Sequence, residues 1–234
     1  MTGKRQPVFT KKTLREQLAE ILRTQILRAE IAPGERITEE EISKKYQVSR
    51  GPVREALRQL EEEGLISYVP YKGCLVKMLT HEEMSELYLI RSTLEGLAVR
   101  IYSGKMSQEG MNKLQQSIDD LQKAAKEKDL YEIVDADERF HSAIVEEAGC
   151  KKLFRLWKSL VGANTSTYYT MKNQGLMPYD VLGTNHQRML ELFKDRVDVE
   201  TIVKAIADHY MVVPETLYNA TQLEAEKEEI NILA

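Results

Sequence analysis

The sequence predicts a mainly α protein, in which a small N-terminal unit ending in a β-hairpin precedes an antiparallel, all-helical bundle. Apolar residues recur at three- and four-residue intervals along most of the 234 residues. Alternating β-like runs occur in LISYVPYKGCLVKM, at 65–78. The charge balance changes near the same point. Residues 1–80 contain 15 Lys+Arg and 11 Asp+Glu, whereas residues 81–234 contain 18 and 26.

Composition narrows the class of protein. The apolar fraction of 42% and the charged fraction of 30% are typical of a soluble globular protein, and no apolar run approaches the length of a membrane helix. The start, MTGKRQPVFTKKTLRE, is basic and lacks the apolar segment of a secretory signal. We therefore expect a cytoplasmic protein that makes no membrane contact. Its basic first third suggests a polyanion partner.

The first domain is predicted over residues 1–79 and begins with a basic tail. From Thr13 onward, apolar residues recur on one face of a helix, which the Pro-Gly pair at 33–34 ends. Thr38 and Glu41 form a capping box, in which each side chain satisfies a backbone N–H of the other residue. They predict the start of a second, short helix.

A third helix is predicted from Ser49 to about Glu63. Arg50, Arg54 and Arg58 recur every four residues and form a cationic ridge away from the apolar stripe. The β-like runs that follow predict a wing with a cationic tip. This order is that of a winged helix-turn-helix, whose second motif helix enters the major groove of DNA.

An alternative role for the arginine ridge is purely structural. The arginines could solvate an exposed face and pair with Glu61, Glu62 and nearby acids. The predicted turn, the wing and the local positive charge together favour binding to double-stranded DNA.

The second domain is predicted over residues 80–222, with a charged tail at 223–234 that we expect to fray. Thr80 and Glu83 form a capping box for its first helix. The helical patterns predict an antiparallel bundle. Six helices are expected, at 81–103, 107–128, 130–148, 151–172, 178–194 and 198–219.

Asp137 and His141 lie four residues apart, in DADERFHSAI, and therefore share one helix face. His186 and His209 fall in the last two predicted helices. One carboxylate and three imidazoles that converge inside a bundle would bind Zn²⁺ or a similar divalent ion. The Asp137–His141 pair alone could instead be a hydrogen bond on the helix surface, and His81 is expected at the surface.

Arg91 breaks the apolar face of the first bundle helix, where an uncompensated charge is costly. It could form an i,i+4 ion pair with Glu95. It could instead point at the metal cavity and bind the carboxylate of a small effector, which suits a guanidinium. The polar stretch NTSTYY, at 164–169, could line the same cavity.

The stretch VSRGPVREALRQLEEEGLI, at 48–66, resembles the DNA-binding signature of GntR-type bacterial transcription regulators. The similarity extends over about residues 13–79. It implies that the third helix and the wing tip contact DNA. Arg58, the last arginine of the ridge, is expected to contact DNA as well. The implied contact residues are Ser49, Arg50, Gly51, Arg54, Lys72 and Gly73. In the helix that precedes this stretch, Glu40 stands where some members have an arginine. The second helix therefore lacks that cation for binding phosphate.

The second domain resembles the FCD ligand-binding domain of the FadR subfamily, over about residues 81–220. The segments DADERFHSAIVEEAGCKKL, NHQRMLELF and IADHY fill the family's metal pattern with Asp137, His141, His186 and His209. Cys150 departs from the asparagine that many members have, and KDRVDVET replaces the usual glycine-containing turn. Neither change removes a ligand. The count of six helices favours the VanR-like branch of this group.

This resemblance implies a ligand-responsive regulator, usually a repressor, that binds operator DNA as a homodimer. It also implies a small carboxylate effector at a divalent metal, with Zn²⁺ first and Ni²⁺, Mn²⁺ or Fe²⁺ also suited to these ligands. Two alternatives stay open. One is a metalloenzyme, although the chain has no HExxH motif and no evident general base. The other is a regulator whose metal is structural or is itself the signal.

Overall fold

The computed structural model describes residues 12–28, 30–70 and 73–232. The N-terminal winged helix-turn-helix and the helical bundle behind it are confirmed. The first domain contains α1 (Leu14–Leu27), β1 (Arg36–Ile37), α2 (Glu39–Tyr46), α3 (Arg50–Glu62), β2 (Ile66–Val69) and β3 (Gly73–Val76). The wing gains a third strand that the sequence did not predict, because β1 is only two residues long and is too short to show alternation.

The strands of the first domain form an antiparallel sheet in the order β1-β3-β2. Capping boxes begin both α1 and α2, and Thr38 and Glu41 form the predicted one. Helices α1 and α3 pack against each other over a core of fully buried side chains. These include Leu22, Ile26, Val53, Ala56 and Leu60.

The second domain contains α4 (His81–Ile101), α5 (Gln108–Glu127), α6 (Leu130–Glu146), α7 (Lys151–Lys158), α8 (Val161–Asn173), α9 (Leu182–Lys194) and α10 (Val199–Ile232). Helix α4 packs along α10, and α5 packs along α6 and α9. In the described part of the chain, no helix is long and apolar enough to cross a membrane.

Three predicted helices of the bundle have other bounds in the structure, and one of them, expected at 178–194, begins only at Leu182. The helix expected at 151–172 is divided into α7 and α8 by a tight turn, in which the amide of Leu160 donates to the carbonyl of Trp157. The turn residues, Ser159 and Leu160, are neither proline nor glycine, and Gly162 already lies in α8, so the pattern did not reveal the turn. The described residues therefore form seven bundle helices, which removes the reason for preferring the VanR-like branch. Helix α10 continues through Pro214 to Ile232, beyond the predicted end at 219.

The DNA-binding domain lies directly on the bundle. The Tyr131 hydroxyl, on α6, donates to Glu20 Oε1 at 3.1 Å, and the Tyr169 hydroxyl, on α8, donates to the carbonyl of Ile31 at 3.1 Å. At Gly162, the first turn of α8 meets the end of α3 so closely that an added Cβ would lie 2.1 Å from the Cβ of Glu63. A glycine is therefore required for this contact.

Candidate metal centre and DNA-binding surface

Three helices bring the four predicted metal ligands together. Asp137 and His141 lie one turn apart on α6, His186 lies on α9 and His209 lies on α10. Each of the four offers a ligand atom, and these atoms all lie within 4.8 Å of one another. Asp137, His141 and His186 are buried, and His209 is half-buried. This set could chelate one ion, and its nitrogen and carboxylate donors suit Zn²⁺ and other first-row divalent metals.

Two of the three histidines, His141 and His186, are oriented as metal ligands require. His141 Nδ1 lies 2.8 Å from Glu95 Oε2, and His186 Nδ1 lies 2.8 Å from the carbonyl oxygen of Leu182. Each contact favours the tautomer with hydrogen on Nδ1, which leaves Nε2 as a lone-pair donor. His186 Nε2 and His141 Nε2 lie 3.0 and 3.7 Å from the same carboxylate oxygen of Asp137. The residues therefore fit a divalent ion between the imidazoles and the carboxylate.

The electrostatics of the cluster favour the metal-binding forms of Asp137 and His209. Burial opposes ionisation of Asp137, but His141 and His186 lower the pKa of this carboxyl well below its usual range. Burial, together with the neighbouring imidazoles of His186 and His141, lowers the pKa of His209 well below its usual value. A carboxylate and a neutral imidazole are the forms that bind metal. At His141, burial opposes the charged imidazole, but the carboxylates of Glu95 and Asp137 raise its pKa, so an incoming metal would displace a proton there.

Arg91 lies fully buried beside this cluster, not in the cavity that the cluster borders. Its Nη2 donates to Glu138 Oε2 at 3.2 Å and its Nε donates to the Tyr210 hydroxyl at 3.1 Å. Its guanidinium carbon lies 4.5 Å from the centre of the Trp157 ring. The salt bridge therefore joins Arg91 to Glu138, whereas the sequence suggested Glu95 or an effector as the partner.

Glu95 is the link between Arg91 and the metal ligands. Its Oε2 contacts His141, and its Oε1 accepts hydrogen bonds from Trp157 Nε1, at 2.8 Å, and from the Tyr210 hydroxyl. All these groups are buried, so the network is shielded from water. The spacing in the sequence indicated Glu95 only as a partner for Arg91, and it did not indicate Trp157 or Tyr210. These contacts join residues from different helices, and no spacing in the sequence indicates them.

A small cavity of about 40 Å³ opens beside the ligands Asp137, His141 and His209. Polar side chains of α4, α8 and α9 reach it: Tyr88, Asn164, Thr167, Tyr168 and Asn185. Three of these lie in the predicted NTSTYY stretch. Asn164 Nδ2 donates to Asp137 Oδ2 at 3.2 Å, so the second carboxylate oxygen is also positioned. Tyr210 also lines the cavity, and apolar side chains form the rest of the wall: Met171, Met177, Pro178, Leu182, Val212 and Val213.

Replacing Glu95 by glutamine is expected to lower metal affinity by about 10- to 100-fold, because the acceptor that orients His141 loses its charge. Competition against a chromophoric chelator measures this affinity. Glu86→Gln is the matched control, since Glu86 is an exposed residue of the same helix, and it should bind metal as the wild type does. Equal affinities for the two variants would rule out an orienting role for Glu95.

The predicted DNA-binding arginines form an exposed ridge on α3. The side chains of Arg50, Arg54 and Arg58 are exposed by 62, 61 and 70%, so each can reach a DNA surface. In the protein alone they pair with Glu39, Glu40 and Glu55, which are nearby acids of the kind that the structural alternative named. Arg54 binds both carboxylate oxygens of Glu39, at 2.7 and 3.0 Å. The weaker pairs join Arg50 to Glu40, at 3.5 Å, and Arg58 to Glu55, at 3.8 Å.

The remaining predicted DNA contacts lie around this ridge. Ser49 is the N-cap of α3, but its side chain makes no capping hydrogen bond, which leaves the hydroxyl available to a phosphate. Nothing lies within 4 Å of the position of a Cβ on Gly51, so its backbone is open to close approach. Gly73 begins β3 with φ of 89°. Lys72 lies outside the described residues.

Glu40 weakens the positive surface of the DNA-binding domain. It pairs with Lys44 at 2.7 Å and lies 3.5 Å from Arg50. We expect Glu40→Gln to raise affinity for non-operator duplex DNA by roughly two- to fivefold at low salt, because two cations become available to phosphates. Fluorescence anisotropy of a labelled duplex measures the change. Glu109→Gln is the control, because Glu109 makes the same kind of i,i+4 pair, with Lys113, on the bundle. An equal gain in both variants would contradict a local effect.

Each of the two domains matches a known protein family. Residues 14–76 match the family described as bacterial regulatory proteins, gntR family, and residues 86–211 match the FCD domain. The FCD match covers more than half of the 234 residues.

Individual relatives agree with these matches. The HTH-type transcriptional repressor RspR of Escherichia coli K12 is 26% identical over 207 residues, which cover 88% of this chain and 90% of the relative. Two solved structures share the fold. E. coli McbR/YncC has a TM-score of 0.71 at 22% identity and covers 89% of this chain and 99% of its own. A GntR transcriptional regulator from Rhodococcus sp. RHA1 has a TM-score of 0.74 at 21% identity, with 88 and 98% covered. The chain therefore belongs to the bacterial regulatory proteins of the gntR family, in the group that carries an FCD domain, and it is a transcription regulator rather than an enzyme.

Proposed function

We propose that the protein is a metal-containing, acid-responsive repressor that binds operator DNA as a homodimer. The observation that carries this proposal is the convergence of Asp137, His141, His186 and His209 at the edge of a cavity. A bound divalent ion would supply a positive charge and an open coordination position for a carboxylate. The chain's own residues would bind and orient the rest of the effector.

The helices that border the cavity also contact the DNA-binding domain, which supports coupling between the two sites. Helix α6 carries Asp137 near its middle and Tyr131, which binds Glu20, near its start. Helix α8 carries Asn164 at the cavity and Tyr169, which binds the carbonyl of Ile31. An effector that shifts either helix would change how the DNA-binding domain is held. Such a shift requires different effector affinities in the two arrangements.

The exposed face of α4 supports the homodimer. Leu89, Ile90, Leu97 and Ile101 are exposed by 63, 50, 46 and 48% on the first bundle helix, whose opposite face packs on α10. An apolar strip of this kind marks a surface that another protein covers. In a two-fold symmetric dimer, the same strip of a second copy would cover it. Leu97→Glu should then shift the sedimentation coefficient to that of a monomer, whereas an unchanged coefficient would remove α4 from the interface.

The proposal is tested with the full chain, purified without an affinity tag or added metal. Elemental analysis should find about one divalent ion per chain. An operator duplex is then selected from a random pool, and its affinity is measured with and without small carboxylic acids. The measurement is made on metal-loaded and chelator-treated protein, with circular dichroism as the check on folding. We expect acids to lower operator affinity only in the metal-loaded form.

Other results would favour the alternative roles of the metal. Unfolding on chelation would identify a structural ion, because binding free energy would then be folding free energy. A change in operator affinity on chelation alone, with no effect of acids, would identify the metal as the signal. An acid effect that survives chelation would place the effector away from these four ligands.

A further inference from the structure

We infer that the effector is a short monocarboxylate with an apolar substituent, and not a di- or tricarboxylate. This inference rests on the proposed function, since it assumes a divalent ion held by Asp137 and the three histidines. It depends on three properties of the cavity beside those ligands: the charge of its lining, the chemistry of its wall and its size.

The net positive charge of the metal-loaded site balances the charge of one carboxylate. A divalent ion bound by ionised Asp137 and three neutral imidazoles leaves a single net positive charge. In the described part of the chain, neither lysine nor arginine is among the residues that line the cavity. A second carboxylate on the effector would therefore be buried without a counter-ion, which is costly.

The buried guanidinium of Arg91 does not supply the missing charge. It lies outside the cavity lining and binds Glu138 and Tyr210. Glu95 lies beside it and accepts a hydrogen bond from the same Tyr210 hydroxyl. The guanidinium is therefore engaged by Glu138 and Tyr210 outside the cavity lining, where it makes no direct contact with an effector. The anion-binding role that the sequence suggested for Arg91 would require this network to break.

The apolar part of the cavity wall favours an apolar substituent of limited size on the effector. It is formed largely by side chains that cannot bind a second anion, among them Met171, Met177, Val212 and Val213. A cavity of about 40 Å³ holds roughly three water-sized groups. The amides of Asn164 and Asn185 and the hydroxyl of Thr167 could hydrogen-bond one neutral polar group of the effector, such as a hydroxyl.

Butyrate and succinate form a matched pair of probes, because they have the same carbon chain and differ by the second carboxylate. Each is titrated calorimetrically into protein loaded with Zn²⁺ and into chelator-treated protein. We expect butyrate to bind the zinc-loaded form at least about tenfold more tightly than succinate, because succinate must bury an unpaired charge. Neither acid should bind the chelator-treated form.

A variant tests the same inference by adding a positive charge to the cavity. Met177→Lys adds a cation to the apolar wall and should narrow or reverse the preference for butyrate, because the second carboxylate gains a partner. Met111→Lys is the control, since Met111 is a partly buried methionine that lines a different cavity. It should keep the preference of the wild type.

The outcomes separate the ligand class from the proposed function. Zinc-dependent binding of succinate, as tight as that of butyrate or tighter, would overturn the ligand class and leave the acid-responsive metal site standing. An unchanged preference in Met177→Lys would also count against the charge argument. Failure of both acids to bind zinc-loaded protein would overturn the proposed function, and the ligand class with it.

Discussion

Alanine at both His141 and His186 is expected to abolish the metal site, with a loss in metal affinity on the order of a thousandfold or more. Two of four ligands are removed, and the remaining Asp137 and His209 lie on different helices. The metal content of purified protein, measured by elemental analysis, should fall from about one ion per chain to background. The response of operator affinity to acids should disappear with it.

His81→Ala is the matched control for this double variant. His81 lies at the start of α4, against the ring of Tyr218 at 4.9 Å, and it is not one of the four clustered ligands. The control should keep its full metal content. A double variant that also kept its metal would show that the ion binds elsewhere, and the proposed effector site would be lost.

The second large effect is expected at the arginine ridge. Arg50→Ala together with Arg54→Ala should weaken binding to the selected operator by about 100-fold or more, since each bidentate arginine–base contact contributes about 1–3 kcal/mol. Anisotropy titrations at fixed salt give the affinities. Binding to non-operator duplex should fall much less, so the ratio of the two affinities should shrink.

Arg188→Ala provides the reference for the loss of one surface charge. Arg188 is exposed on α9, in the bundle, and its loss should leave both affinities close to those of the wild type. An equal loss on operator and non-operator DNA in the double variant would mean that the ridge contacts phosphates alone. Sequence would then be read by another part of the domain.

Local spacing in the sequence predicted those features that depend on one element at a time. Thr38 and Glu41 indicated where α2 begins, and a separation of four residues placed Asp137 and His141 on one face of α6. The convergence of His186 and His209 on that face depends on how α9 and α10 pack. Periodicity alone contains no such information, and the expectation came from the resemblance to the FCD domain.

The buried network shows the limit of prediction from spacing. Glu95 lies four residues after Arg91, and this spacing suggested an ion pair between them. Packing instead places Glu138 against the guanidinium and turns Glu95 toward His141 and Trp157. A pair on an isolated helix has only local partners, whereas in a packed bundle the neighbouring helices decide which partners come within reach.

The contact at Gly162 makes the arrangement of the two domains sensitive to mutation at a single position. Every other amino acid carries a Cβ, and here that atom would overlap Glu63, including its Cα at 2.7 Å. A replacement must therefore separate α8 from the end of α3, although it alters neither the metal ligands nor the arginines. In evolutionary terms, a single codon can change how the sensing domain holds its DNA-binding domain, while the specificity of both sites is inherited unchanged.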